Sequence, residues 1–180
     1  MLQRARRQCN EAEQRLTRHY SPDEPIATTG EITRLDRAEY QQCSWATRAR
    51  PWVDRVASAW LIQRFIDPRA RFIWLTAIDS CPTDAFGFDF DGAAFSHIGD
   101  KVTFEVLLAS FGLEQDLALG RIGALVHALD VGGNAVPEAI GFEAMLAGAR
   151  SRIANDDQLL AEISCMLDSL YAHFKGMVKK

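Results

Sequence analysis

The sequence predicts a mainly α (α+β) fold: a compact helical domain with a few short strands, preceded by an N-terminal helical arm. Three observations predict it. From residue 103 onward, apolar residues recur at three- and four-residue spacing between glycine and proline breaks, the pattern of amphipathic helices. Between residues 71 and 98, short runs of aromatic and branched residues alternate with turn dipeptides; they are too short for helices and suit strands. Ahead of residue 45 the chain is polar and has little to bury by itself. The division that follows is an arm or linker over residues 1–44 and a folded domain over residues 45–180.

Residues 2–20 are charged and helix-friendly, and the Ser-Pro-Asp-Glu-Pro stretch at 21–25 ends them. Residues 32–40 suit a short helix. Asp54 is placed to cap a helix running to Ile66, where Asp67-Pro68 stops it. That helix is apolar almost all round, as buried helices are. Residues 71–75 read as a strand. Residues 86–90 and 93–98 read as two more around Asp91-Gly92, a favoured hairpin dipeptide. Thr103 suits the cap of a helix closed by Gly112, and Asp116 the cap of another closed by Gly132-Gly133. Pro137 suits a first helical position, and Asn155-Asp156-Asp157 opens a last long helix through Phe174.

With 180 residues and 48% hydrophobic content, the chain carries one sizeable core. A net charge of −4 argues against a general nucleic-acid binder, whose footprint is strongly basic. Cys9, Cys43, Cys81 and Cys165 are scattered with no C-x-x-C pair, so neither a zinc ribbon nor a dithiol redox motif is indicated. Scattered thiols fit a reducing compartment. Residues 1–10 are arginine-rich with no apolar stretch, unlike a secretory signal, and no apolar run is long enough to span a bilayer. The expected localisation is cytoplasmic, with no membrane partner.

The chemistry-bearing constellation is His97, Glu105, His127 and Asp130. His127 and Asp130 lie three residues apart on one predicted helix, so both side chains can reach one ion. Two imidazoles and two carboxylates suit a divalent transition metal such as Mn, Fe or Zn. The same spacing also fits a core histidine bonded to Asp130, with Glu105 exposed at a helix start. A second feature is the basic cluster Arg48, Arg50, Arg55 and Arg64, flanked by Arg69 and Arg71. Arginine forks match tetrahedral dianions with paired charge-assisted bonds, so these residues are candidates for an oxyanion site. A solvated basic face with structural ion pairs gives the same pattern. Trp60 and Trp74 suit the core, while Trp52, beside Pro51, is the tryptophan placed to face a partner or pocket. Asp84, Asp89 and Asp91 form only a fragment of a calcium loop, with no closing glutamate.

From Trp45-Ala46-Thr47-Arg48-Ala49-Arg50-Pro51 onward, the chain resembles the C-terminal domain of the ChrB-type chromate-resistance family. The resemblance continues through Asp54-Arg55-Val56-Ala57 and the specific block Trp60-Leu61-Ile62-Gln63-Arg64-Phe65-Ile66-Asp67-Pro68. It resumes at Ser96-His97, Thr103-Phe104-Glu105, Val126-His127-Ala128-Leu129-Asp130 and Pro137-Glu138-Ala139. The family pattern often has Cys-Pro before the tryptophan; Ser58-Ala59 stand there in this chain, which argues against thiol redox chemistry at that spot. The resemblance implies a link to chromate resistance, and it places all four candidate metal ligands in matching blocks. It also implies that longer relatives carry an N-terminal domain that supplies DNA binding, so direct DNA binding by this chain alone is not expected.

Three functions compete. The chain is a sensor or accessory module that binds a divalent metal, an oxyanion such as chromate, or both, and engages a protein partner through its N-terminal arm. Alternatively it is a metal-dependent enzyme, an oxidoreductase or hydrolase, with an open position on the metal. In the third reading the four residues only satisfy one another within a structural helical module.

Overall fold

The computed structural model describes residues 24–178; the helix expected over residues 2–20 lies outside them. Three short strands form a parallel sheet: β1 (Ser44–Arg48), β2 (Arg71–Leu75) and β3 (Ala85–Gly87), in the order β2-β1-β3. Trp45 aligns with Phe72 on one side and with Phe86 on the other. The central strand has Trp45, Ala46 and Thr47 fully buried, as expected of a parallel strand covered on both faces.

The expected β2 forms, but the expected hairpin does not. The run after residue 85 pairs with β1, and Asp91-Gly92 instead turns a loop that folds back on itself. Phe95 N–H donates to the Gly87 carbonyl and Asp89 N–H to the Phe95 carbonyl. Gly92, at φ +81°, takes the left-handed conformation this turn requires. The physical reason is competition for one apolar run: pairing with the buried centre of a sheet covers more of it than a solvated two-stranded ribbon could.

Among the described residues five α-helices pack on one another: α1 (Val53–Leu61), α2 (Thr103–Ser110), α3 (Leu117–Asp130), α4 (Ala139–Arg152) and α5 (Asp156–Val178). Every residue of α1 is buried, matching its all-round apolar sequence, and a π-helical turn, Ile62–Ile66, extends it to Asp67. Asp67 then anchors the entry to β1. Its carboxylate accepts from the backbone N–H groups of Gln42, Cys43 and Arg69 and from Trp45 Nε1. Helix α1 packs on α2, α3 and α5, and α3 packs on α4 and α5.

Several local expectations shift. Asp54 does not cap its own helix, because Trp52 occupies that position without a side-chain bond. Thr103 is the first residue of α2 rather than its cap, and α4 begins two residues past Pro137. Asp116 does cap α3, accepting from Ala118 and Leu119 N–H. The helix expected at 32–40 is a single 3-10 turn, Arg37–Glu39, capped by Asp36. Trp52 does not face a pocket; it is buried in the core, with the Arg150 guanidinium over its ring. Among the described residues, no helix is long and apolar enough to cross a membrane.

Residues 24–43, the described part of the expected arm, lie against the domain. Leu35 N–H donates to the Ser110 carbonyl, and the Tyr40 ring packs against Phe86 and Phe111.

Candidate functional site

The chain gathers three buried aspartates at the carboxyl ends of β1 and β3, the edge where parallel sheets commonly place ligands. β1 leads into α1, whose first turn carries Asp54 and Arg55. β3 leads to Asp89, two residues past its end. The folded-back loop returns with His97, and the last residue of α3 supplies Asp130. Glu24 reaches in from the N-terminal side.

The imidazole is the hub. His97 Nε2 lies 3.2 Å from Asp54 Oδ2, 3.5 Å from Asp89 Oδ1 and 3.4 Å from Asp130 Oδ2. Two groupings hold three ligand atoms within 4.8 Å of one another: Asp54, Asp89 and His97, and Glu24, His97 and Asp130. The side chains of Asp54, Asp89 and Asp130 are each 1% exposed, and that of Glu24 is 23% exposed.

The two groupings differ in how far the protein already satisfies them. Asp54 accepts from Thr103 and Phe104 N–H, at 2.8 and 2.9 Å, and from the Ser58 hydroxyl at 3.0 Å. It therefore caps α2, whose own cap position holds a valine. Asp89 accepts from the Thr103 hydroxyl at 2.8 Å and from Arg55 Nε at 3.2 Å, and Arg48 donates to its carbonyl. In the other grouping, Asp130 Oδ2 and Glu24 Oε2 are buried without a hydrogen-bond partner among the described residues. The nearest cation to Glu24 is Arg55, with Nη2 3.9 Å away. Asp130 also ends a helix, where the backbone dipole disfavours a carboxylate.

The proton affinities follow from this crowding. Burial, together with neighbouring Asp89, pushes Glu24 up to about 7 and Asp54 up to about 6. Burial and the charges of Asp54, Glu24 and Asp89 hold Asp130 well above the usual carboxylate range. Burial alone would lower His97, but its bonds to Asp54 and Asp89 prevail and raise it to about 10. Asp89 moves the other way: burial raises it, and His97, Arg55 and Thr103 together bring it below its ordinary value.

Of the sequence candidates, the structure brings together His97 and Asp130. Glu105 and His127 form a separate, half-exposed pair: His127 Nδ1 is 2.8 Å from Glu105 Oε2, which also accepts from Val102 N–H. The pair forms where α2 packs on α3, with Glu105 Cγ lying alongside Gly123. Neither residue joins a grouping of three ligand atoms among the described residues.

The arginines do not converge. Arg55 and Arg48 border the acid cluster. Arg50, at φ +54°, bonds Asp156 and the carbonyls of Ile153 and Ala154, tying β1 to the α4–α5 junction. Arg64 forms a two-pronged pair with Asp168 on α5.

Sequence reasoning missed Glu24, Asp54 and Asp89 as site residues. Asp54 carried a signal, since it sits in a family-like block, but its neighbour Arg55 offered a simpler partner. Asp89 was visible only as part of an incomplete calcium-like run.

Comparisons with known proteins agree with this placement. The family model described as ChrB, C-terminal domain, matches residues 45–174. "Protein ChrB" of Cupriavidus metallidurans (strain ATCC 43123 / DSM 2839 / NBRC 102507 / CH34) is 61% identical over 160 residues, 89% of this chain and 49% of the relative. The chain thus spans about half the length of the curated relative it matches. No solved structure matches the chain significantly. Matched over most of its length by both comparisons, the chain belongs to the ChrB family, which is associated with chromate resistance.

Proposed function

We propose that the domain is a sensor or accessory module of chromate resistance that holds one divalent cation between His97, Asp130 and Glu24. The observation that carries this reading is Asp130. Among the described residues its Oδ2 has no hydrogen-bond partner and only the His97 imidazole, 3.4 Å away, to offset a carboxylate 1% exposed at the unfavourable end of a helix dipole, so a bound cation would stabilise it. Charge balance agrees. With His97 neutral, as a ligand must be, four carboxylates face Arg48 and Arg55, and the deficit equals one divalent ion. Asp54 and Asp89 would orient His97 and need not bind the ion, because their oxygens already accept from α2 and Arg55. One imidazole with carboxylates is a hard donor set, which favours Mn(II) or Fe(II), with Zn(II) next.

The buried position favours holding an ion over turning over a substrate, since only Glu24 has an appreciably exposed edge. A chromate dianion meets net negative charge here, so it would reach the site through the bound cation rather than through the arginines.

The test is metal content by mass spectrometry on untagged protein reconstituted separately with Mn(II), Fe(II) and Zn(II). About one equivalent is expected in wild type and in His127→Ala, and none in His97→Ala. Retention by His97→Ala, or no uptake by wild type, would overturn the reading. Chromate added to the loaded protein, with sulfate as control, then tests the oxyanion arm.

A further inference from the structure

Glu24 reaches the cluster from an unusual carrier. Residues 24–28 run across the mouth of the site as a short strap. Thr28 N–H donates to the His97 carbonyl at 2.9 Å, and Gly99 N–H donates back to the Thr28 carbonyl at 2.8 Å. The Thr28 hydroxyl adds a second bond to the same His97 carbonyl at 3.2 Å. Ile26 N–H donates to Asp91 Oδ1 at 2.8 Å. The strap is thus fastened to the backbone of the residue that supplies the imidazole. Yet it contributes little apolar burial: Pro25 is buried, while residues 26–30 are exposed. Such a segment, held by a few solvent-accessible bonds, belongs to the low-stability end of a fold.

Its Glu24 side chain is the part that ion binding would change. Oε2 is buried with no hydrogen-bond partner among the described residues, and Oε1 lies 3.9 Å from Arg55 Nη2. Asp130, nine-tenths buried and more, presents its own unpartnered oxygen to the same space. Without a cation the two carboxyls repel; with one they share a ligand.

We infer that the strap is a binding-linked clasp: a divalent cation recruits Glu24 to Asp130 and His97, and so orders residues 24–28. This rests on the cation reading above and adds its regulation. Ion occupancy would then be transmitted by an order change in the strap, coupling two equilibria through their shared ligand.

The experiment is hydrogen–deuterium exchange on the full chain in EDTA and in MnCl2, beside Mn(II) titration of wild type, Glu24→Gln and Asp91→Ala. Wild type should slow exchange in peptides covering residues 24–30 when Mn(II) is added. Glu24→Gln should bind Mn(II) about tenfold more weakly and lose that protection. Asp91→Ala leaves every ligand in place and removes one fastening, so it should bind a few-fold more weakly with partial protection. Wild-type affinity and protection in both variants would overturn the clasp while leaving the cation site standing. No Mn(II) binding by wild type would overturn both.

Discussion

Asp54 and Asp130 are equally buried, and opposite consequences are expected from neutralising them. Both oxygens of Asp54 accept bonds, from two backbone N–H groups of α2 and from Ser58. An asparagine offers only one acceptor oxygen, so Asp54→Asn leaves a buried N–H unpaired and should destabilise by about 1–3 kcal/mol. Asp130 Oδ2 has no hydrogen-bond partner among the described residues, only the His97 imidazole 3.4 Å away. Asp130→Asn should therefore stabilise the metal-free protein by about 1 kcal/mol while abolishing metal uptake. Urea unfolding in EDTA at pH 8, with and without added Mn(II), measures both. Stability retained for function and stability sacrificed for function are thus separated by one atom's hydrogen bonds.

At the scale of the element, the helices are held by carboxylates drawn from elsewhere in the chain. α2 has a valine at its cap position and borrows Asp54 from α1. α3 uses its own Asp116, which also accepts from the Tyr171 hydroxyl of α5 at 2.7 Å. α1 is tied to α5 through Asp168, which takes bonds from both Trp60 Nε1 and Arg64. Because Asp116 joins a cap to an inter-helix bond, Asp116→Ala should cost about 1–2 kcal/mol. Tyr171→Phe, removing only the hydroxyl, should cost less. Additivity in the double variant would show that the cap and the tie act separately.

For the whole molecule, the cluster makes stability depend on pH in a stated direction. Glu24, Asp54 and Asp130 have folded pKa values raised above those of free carboxyls, so the folded state keeps protons that the unfolded chain gives up. The contribution of Asp54 and Glu24 falls as pH rises from the ordinary carboxylate range through about 6 to 7, and that of Asp130 is lost in the same direction as pH rises. His97 has a raised folded value as well; its contribution is complete below its ordinary 6.5 and is lost as pH rises through about 10. The lowered carboxyls of Asp89 and Asp116 act in the opposite sense, losing their contribution only as acid protonates them. Metal-free protein should therefore melt at a lower temperature at pH 8 than at pH 5. Mn(II) should raise the melting temperature at pH 8 far more than at pH 5, because protons compete for the same ligands. Equal shifts at both pH values would contradict this account.

Sequence alone determined the class of the fold, most helix positions, the Asp116 cap and the family, because these rest on local periodicity, local hydrogen bonds and contiguous motifs. It also singled out His97 and Asp130. The four-residue metal set was read from helical spacing, which places His127 beside Asp130 but says nothing of which neighbour lies across from each. Only the tertiary structure decided that. The packing of α2 on α3 sets Glu105 against His127, while the loop after β3 carries His97 to Asp54 and Asp89 at the end of the sheet. The arginines show the same limit: clustered within 17 positions of sequence (48 to 64), they point to three different parts of the molecule. Strand pairing was equally non-local, since β3 had a plausible partner seven residues away and took β1 about 40 residues back. Charge clusters and parallel sheets are assembled from residues far apart in the chain, and no local pattern records who meets whom.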